Sequence, residues 1–154
     1  MKRFLALTML LAALTVSAGN LPYNEAADAK AEVGQALADA STAQVPVLLI
    51  FGANWCEDCR ALDLALKSGK NAALIGREFK VVKIDIGNFN RNLDVAAAYG
   101  NPIKKGIPAA VVVSATNQVL YATRAGELAD ARRMSEDGIY EFFKQAAGSA
   151  KLKQ

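Results

Sequence analysis

The two cysteines of this 154-residue chain, Cys56 and Cys59, stand where the sequence changes character. Before them runs Val45-Pro46-Val47-Leu48-Leu49-Ile50-Phe51, a continuous apolar stretch of the kind that forms a strand buried on both faces. Beyond them, Cys59, Leu62 and Leu66 recur at helical spacing, with Asp63 and Lys67 placed on the outer side. The chain must therefore pass from a central strand almost directly into a helix, with sulfur at the turn. A disulfide between cysteines this close closes a very small ring and removes less entropy from the unfolded chain than a long-range crosslink would. Such a pair is better suited to exchanging electrons than to stapling a domain. The competing reading is a structural disulfide in a redox-inactive domain.

The N-terminus reads as a secretory signal over residues 1–18. Lys2 and Arg3 form a basic start, Phe4 to Val16 an apolar core, and Val16-Ser17-Ala18 supplies small residues for cleavage before Gly19. The apolar core falls short of the roughly 20 residues that span a bilayer, although an uncleaved anchor is the alternative. Residues 19–154 then make one domain, expected to be soluble, monomeric and periplasmic or otherwise exported. Export puts the cysteines where disulfides persist. Removal of Lys2 and Arg3 takes the formal charge from +3 to about +1, and no basic stripe interleaves with aromatics, so nucleic acid is not an expected partner.

Histidine is absent from the sequence. That removes the usual base of serine and cysteine hydrolases and the commonest metal ligand. Two cysteines without histidine cannot supply the four ligands of a structural zinc site. No metal and no cofactor are expected, and thiol–disulfide exchange is the chemistry that remains.

Periodicity predicts a helix over Tyr23–Ala43, with Ala26, Ala29, Val33, Leu37 and Ala40 on its apolar face, then a strand at Val47–Phe51. A helix over Cys56–Ser68, stopped by Gly69, precedes a short helix at Asn71–Glu78 and a strand at Phe79–Ile86. Leu93–Tyr99 reads as helix, Ala109–Val113 and Val119–Thr123 as a hairpin, and a last helix begins near Ser135 as N-cap. The order implies an α/β fold: two parallel strands joined by a helical crossover, then an antiparallel pair, with helices on both faces. The cysteines fall at the carboxyl end of the first strand, where open α/β sheets place their sites.

Three separated pieces, in order, resemble the thioredoxin superfamily. Phe51-Gly52-Ala53-Asn54-Trp55-Cys56-Glu57-Asp58-Cys59-Arg60 resembles the strand-to-active-site segment, Gly106-Ile107-Pro108 the loop with the family's cis-proline, and Gly126 a glycine placed before the last helix. The similarity covers roughly residues 26–147, and it implies a mixed four- to five-stranded sheet. Within the superfamily the chain looks most like exported single-domain members related to the C-terminal domain of DsbD-type transporters. The interval between the cysteines and Pro108 is too short for the inserted helical domain of a DsbA-type oxidase. Thioredoxin has a buried aspartate six residues before its first cysteine, where this chain has Ile50. Lys83 matches the lysine that accompanies that aspartate and is expected to lack its partner, with Glu57 or Asp58 as substitute in the proton path.

The resemblance implies an exposed Cys56 at the helix N-terminus, where free N–H groups and the macrodipole favour thiolate. Cys56 attacks a substrate disulfide, and the more buried Cys59 resolves the mixed disulfide. Glu57 and Asp58 suit the first turn of a helix, but each charge ~7 Å from the sulfur would also disfavour thiolate by roughly 0.6 kcal/mol. Together they would raise the Cys56 pKa by about one unit and favour a reductant. Trp55 is expected at the surface of the site, or alternatively in the core. Pro108, if cis, leaves the Ile107 backbone to pair with an extended substrate, against the reading of an ordinary edge proline. Gly126 joins the substrate-binding set. Lys104 and Lys105 read as a solvated loop, and Lys83 alternatively as a strand residue extending to water.

The function expected is an exported thiol–disulfide oxidoreductase that reduces disulfides of proteins or peptides, recharged by the DsbD-type membrane electron donor the resemblance implies. The alternatives are a disulfide isomerase or oxidant, and a redox-inactive binding or chaperone module.

Overall fold

The computed structural model describes residues 21–152, so the signal segment read at residues 1–18 lies outside the described residues. Five α-helices and four strands follow in order: α1 Ala29–Ala43, β1 Val47–Gly52, α2 Glu57–Leu66, α3 Gly69–Glu78, β2 Lys80–Asp85, α4 Leu93–Ala98, β3 Ala109–Val113, β4 Val119–Ala122 and α5 Glu136–Lys151. The sheet has four strands in the order β2-β1-β3-β4. β1 and β2 run parallel, with Ile50 opposite Lys83, while β3 is antiparallel to both β1 and β4. The mixed sheet expected from the element order is therefore present, in its four-stranded form.

β1 is buried along its whole length because both its faces are covered. Val47, Leu49 and Phe51 pack with Val33 and Ala40 of α1 and Val95 of α4. Leu48 and Ile50 face the other way, among Leu62, Leu74 and Phe143 of α2, α3 and α5. The period-2 alternation of a strand thus splits one apolar run between two cores. No helix among the described residues is long and apolar enough to cross a membrane.

Most boundaries differ from the sequence expectation by one or two residues, and two of the differences have a local cause. α1 starts at Ala29 rather than Tyr23, because the Asp28 side chain accepts the N–H groups of Lys30 and Ala31 and caps the helix there. Residues 21–28 instead form a strap ahead of the helix. Gly69 does not stop α2, which ends at Leu66; it opens α3 with a positive φ of 49°. Ser135 caps α5 as read, its Oγ accepting the Gly138 N–H at 3.0 Å.

Candidate active site

The carboxyl end of β1 delivers the chain into the turn 53–56, and Cys56 is the N-cap of α2. Its sulfur accepts the Cys59 N–H at 3.1 Å, so the position that would hold a thiolate already faces a backbone donor at the positive end of a helix. Cys56 and Cys59 are joined by a disulfide, with their Cα atoms 5.2 Å apart. Cys56 was expected to be exposed. It is 6% exposed against 1% for Cys59, because its sulfur turns toward the loop before β3, 3.8 Å from the Ile107 carbonyl oxygen. The order of burial still distinguishes the two sulfurs, Cys59 being the deeper.

The Ile107–Pro108 peptide is cis and immediately precedes β3, the strand beside β1. The loop is packed by Gly126, at φ 78°, where a Cβ would come within 2.8 Å of the Lys105 carbonyl oxygen. Gly126 thus supports the proline loop from behind. Trp55 is 53% exposed and belongs to the surface. Its indole N–H donates to the Gly87 carbonyl at 2.9 Å, and its ring meets Phe89 with centroids 6.3 Å apart.

Lys83 is not without a partner. It forms an ion pair with Asp63, which is 7% exposed and was expected on the outer side of α2. Asp63 lies four residues after Cys59, which on a helix places it on the same side as the cysteine. Its other oxygen meets exposed Lys67 at 2.8 Å, so one carboxylate joins the interior to the surface. Asp63, Lys83, Cys59 and Tyr23 line one crevice too narrow for a water molecule. Burial pushes the Lys83 ammonium below the ordinary lysine value. Ile50, at the position of thioredoxin's aspartate, also lines this crevice, and Asp63 brings a carboxylate there from α2 instead.

Glu57 and Asp58 do not take that place, because both are engaged elsewhere. The guanidinium of Arg132, in a short 3-10 turn before α5, forms ion pairs with each, and its backbone N–H donates to Asp58 Oδ1 at 3.0 Å. A cation between the two carboxylates offsets their effect on Cys56.

The sequence alone assigns no role at the site to Tyr23, Asn54, Asp63 or Arg132. Asp63 carried a usable signal, its four-residue spacing from Cys59. Tyr23 and Arg132 are brought in by the tertiary fold and have no local signature.

Comparison with known proteins agrees with this geometry. A family model described as thioredoxin-like matches residues 28–115. The crystal structure of a disulphide isomerase from Xylella fastidiosa Temecula1 is 58% identical, with a TM-score of 0.81, over 83% of this chain and 98% of that one. The oxidised C-terminal domain of Neisseria meningitidis DsbD shares the fold at 20% identity and TM-score 0.56, over 78% and 97% of the two chains. A thioredoxin from Thermus thermophilus does so at 18% and 0.52, over 74% and 80%. Among curated protein sequences nothing matches. With its strand-to-helix cysteine pair facing a proline loop, the chain belongs to the thioredoxin superfamily and has the redox centre of a thiol–disulfide oxidoreductase.

Proposed function

We propose that the protein is an exported reductase of protein disulfides that works from its Cys56–Cys59 dithiol. The observation that carries this reading is the Cys56 sulfur at the cap of α2, accepting the Cys59 N–H and facing the Ile107 carbonyl. In the dithiol form the Cys56 thiolate attacks a substrate disulfide, releases one substrate thiolate and holds the other half as a mixed disulfide. Cys59 then attacks Cys56 Sγ. The Cys56–Cys59 bond forms, the bond to substrate breaks, and the second substrate sulfur leaves with the electron pair. The substrate is oxidant throughout, and the protein ends as its disulfide.

Each neighbouring residue has a role in this cycle. An extended substrate segment pairs with the backbone at Ile107, beside Pro108, while Trp55 offers it a flat apolar contact. Gly126 keeps the proline loop in place. Asp63 takes the Cys59 proton within the crevice, and Lys83 holds the carboxylate ready. Glu57 and Asp58, balanced by Arg132, set the Cys56 thiolate population. A DsbD-type membrane donor returns the electrons, supported by the resemblance and by the export signal read at residues 1–18.

A second reading, disulfide isomerase, is favoured by the relative of that description at 58% identity. It needs the same attack by Cys56 but returns the protein to the dithiol after each rearrangement. Insulin reduction and the reactivation of scrambled ribonuclease separate the two. Net reduction abolished in Cys56→Ser supports the reductase; reactivation without net consumption of reductant supports the isomerase. Equal activities of wild type and Cys56→Ser in both assays would leave only a binding module. Mixed disulfides trapped on Cys56 in a Cys59→Ser variant would identify the substrates.

A further inference from the structure

Tyr23 belongs to the strap ahead of α1, yet it is 3% exposed and lines the crevice that holds Cys59. The strap is tied to the active-site turn through one side chain. Tyr23 N–H donates to Asn54 Oδ1 at 3.0 Å, and Asn54 Nδ2 donates to the Tyr23 carbonyl at 2.9 Å. Asn54 lies two residues before Cys56, so these two hydrogen bonds join the strap to the active-site turn. Gly52, the last residue of β1, makes room for the ring. A Cβ there would stand 2.5 Å from Tyr23 Cζ and 2.9 Å from Cys59 Sγ, with the hydroxyl closer still, so hydroxyl and sulfur are no more than about 5 Å apart.

Resolution of the mixed disulfide requires Cys59 as thiolate, an anion formed in a crevice too narrow for a water molecule. A buried charge without a hydrogen-bond donor is costly. The charged side chains lining the crevice with this sulfur are Asp63 on α2 and Lys83 on β2; Glu57, Asp58 and Arg60 are its neighbours in sequence on α2, and Asp85 on β2 is paired with Arg91. Glu57 and Asp58 are held by Arg132, Arg60 donates to the Asn54 carbonyl, and Lys83 is engaged by Asp63. The phenol is the neutral donor that remains beside the sulfur.

We propose that Tyr23 donates the hydrogen bond that stabilises the Cys59 thiolate during resolution. The inference rests on the oxidoreductase reading above. Burial, with Asp85 adding to it, pushes the Tyr23 phenol up from its ordinary value, so it stays a donor and keeps its own proton. The Cys59 proton goes to Asp63, and Tyr23 only shares its hydrogen with the sulfur.

The test measures the Cys59 pKa in a Cys56→Ser background, from the pH dependence of the Cys59 Cβ chemical shift. Tyr23→Phe keeps the ring and removes the donor, and it is expected to raise that pKa by about one unit and to slow resolution about tenfold at neutral pH. Replacing Tyr23 by 3-fluorotyrosine, a more acidic donor of nearly the same shape, is expected to lower the pKa. An unchanged pKa in both proteins overturns the proposal, and a Tyr23→Phe protein that melts early with its Cys59 pKa unmoved does so too, showing a packing role. Wild-type insulin reduction is measured alongside: its absence overturns the oxidoreductase reading itself.

Discussion

Asp63 and Lys83 form an ion pair in the interior, their side chains 8% and 22% exposed, beside the buried sulfur of Cys59. The pair places a carboxylate in the crevice of Cys59, delivered from α2 rather than from β1. Asp63→Asn preserves the shape and removes the base. Insulin reduction at neutral pH is expected to fall about tenfold or more, with the pH–rate profile displaced to higher pH. An unshifted profile would assign Asp63 to stability alone.

The same pair has an energetic consequence. Lys83→Met leaves the buried Asp63 carboxylate with only the surface Lys67, and is expected to cost about 3 kcal/mol of unfolding free energy. Asp63→Leu combined with Lys83→Met removes both charges and is expected to recover most of that loss. Urea denaturation of wild type, Lys83→Met, Asp63→Leu and the double variant gives the coupling directly.

Arg132 governs the charge next to Cys56. Arg132→Ala leaves Glu57 and Asp58 without their cation, and the Cys56 pKa in the dithiol is expected to rise by about half a unit at low salt. Added salt should shrink the difference, because Glu57 and Arg132 are both more than half exposed. The pH dependence of Cys56 alkylation by iodoacetamide reads the shift.

Gly52→Ala would push a methyl into the Tyr23 ring and toward Cys59 Sγ. Overpacking at a backbone that cannot retreat is expected to cost about 2 kcal/mol. Loss of activity should exceed what the melting temperature accounts for, since the strap and the resolving sulfur both lose their seat.

Glu78, at the end of α3, accepts hydrogen bonds from Lys151 and Arg77 that hold its carboxyl below the ordinary glutamate value. Its folded value lies under its unfolded one, so the stabilisation is complete above the unfolded value and disappears as pH falls through the folded one. Glu78→Gln is expected to cost about 0.5 kcal/mol at neutral pH and to converge with wild type in acid. Parallel denaturation curves across that range measure it.

The strand-to-helix junction was readable because β1 is buried on both faces, and an unbroken apolar run is what such burial demands. Ser135 was readable because capping is local chemistry. Asp63 was misplaced for the opposite reason. A carboxylate on a helix reads as outward, and only the three-dimensional position of Lys83 on the neighbouring β2 makes an inward one tolerable. Tyr23 falls in the helix that periodicity predicts because an Ala-rich stretch follows it. The competing interactions, the Asp28 cap and the Asn54 tie, depend on side chains that periodicity does not weigh. Glu57 and Asp58 read as unbalanced charges in the sequence because Arg132, which pairs with both, lies far from them along the chain.

Cys59 is packed on the α1 side of the sheet, while Leu62 and Leu66, the next turns of the same helix, are packed on the α5 side. Any change at this sulfur is therefore felt by both halves of the core, and the electron affinity of the pair cannot be separated from the cohesion of the fold. Every 1.4 kcal/mol by which closing the disulfide strengthens the folded state makes the pair about 30 mV more reducing. Two unfolding curves, one for each redox form, would then report on the protein's driving force without a redox partner in the cuvette.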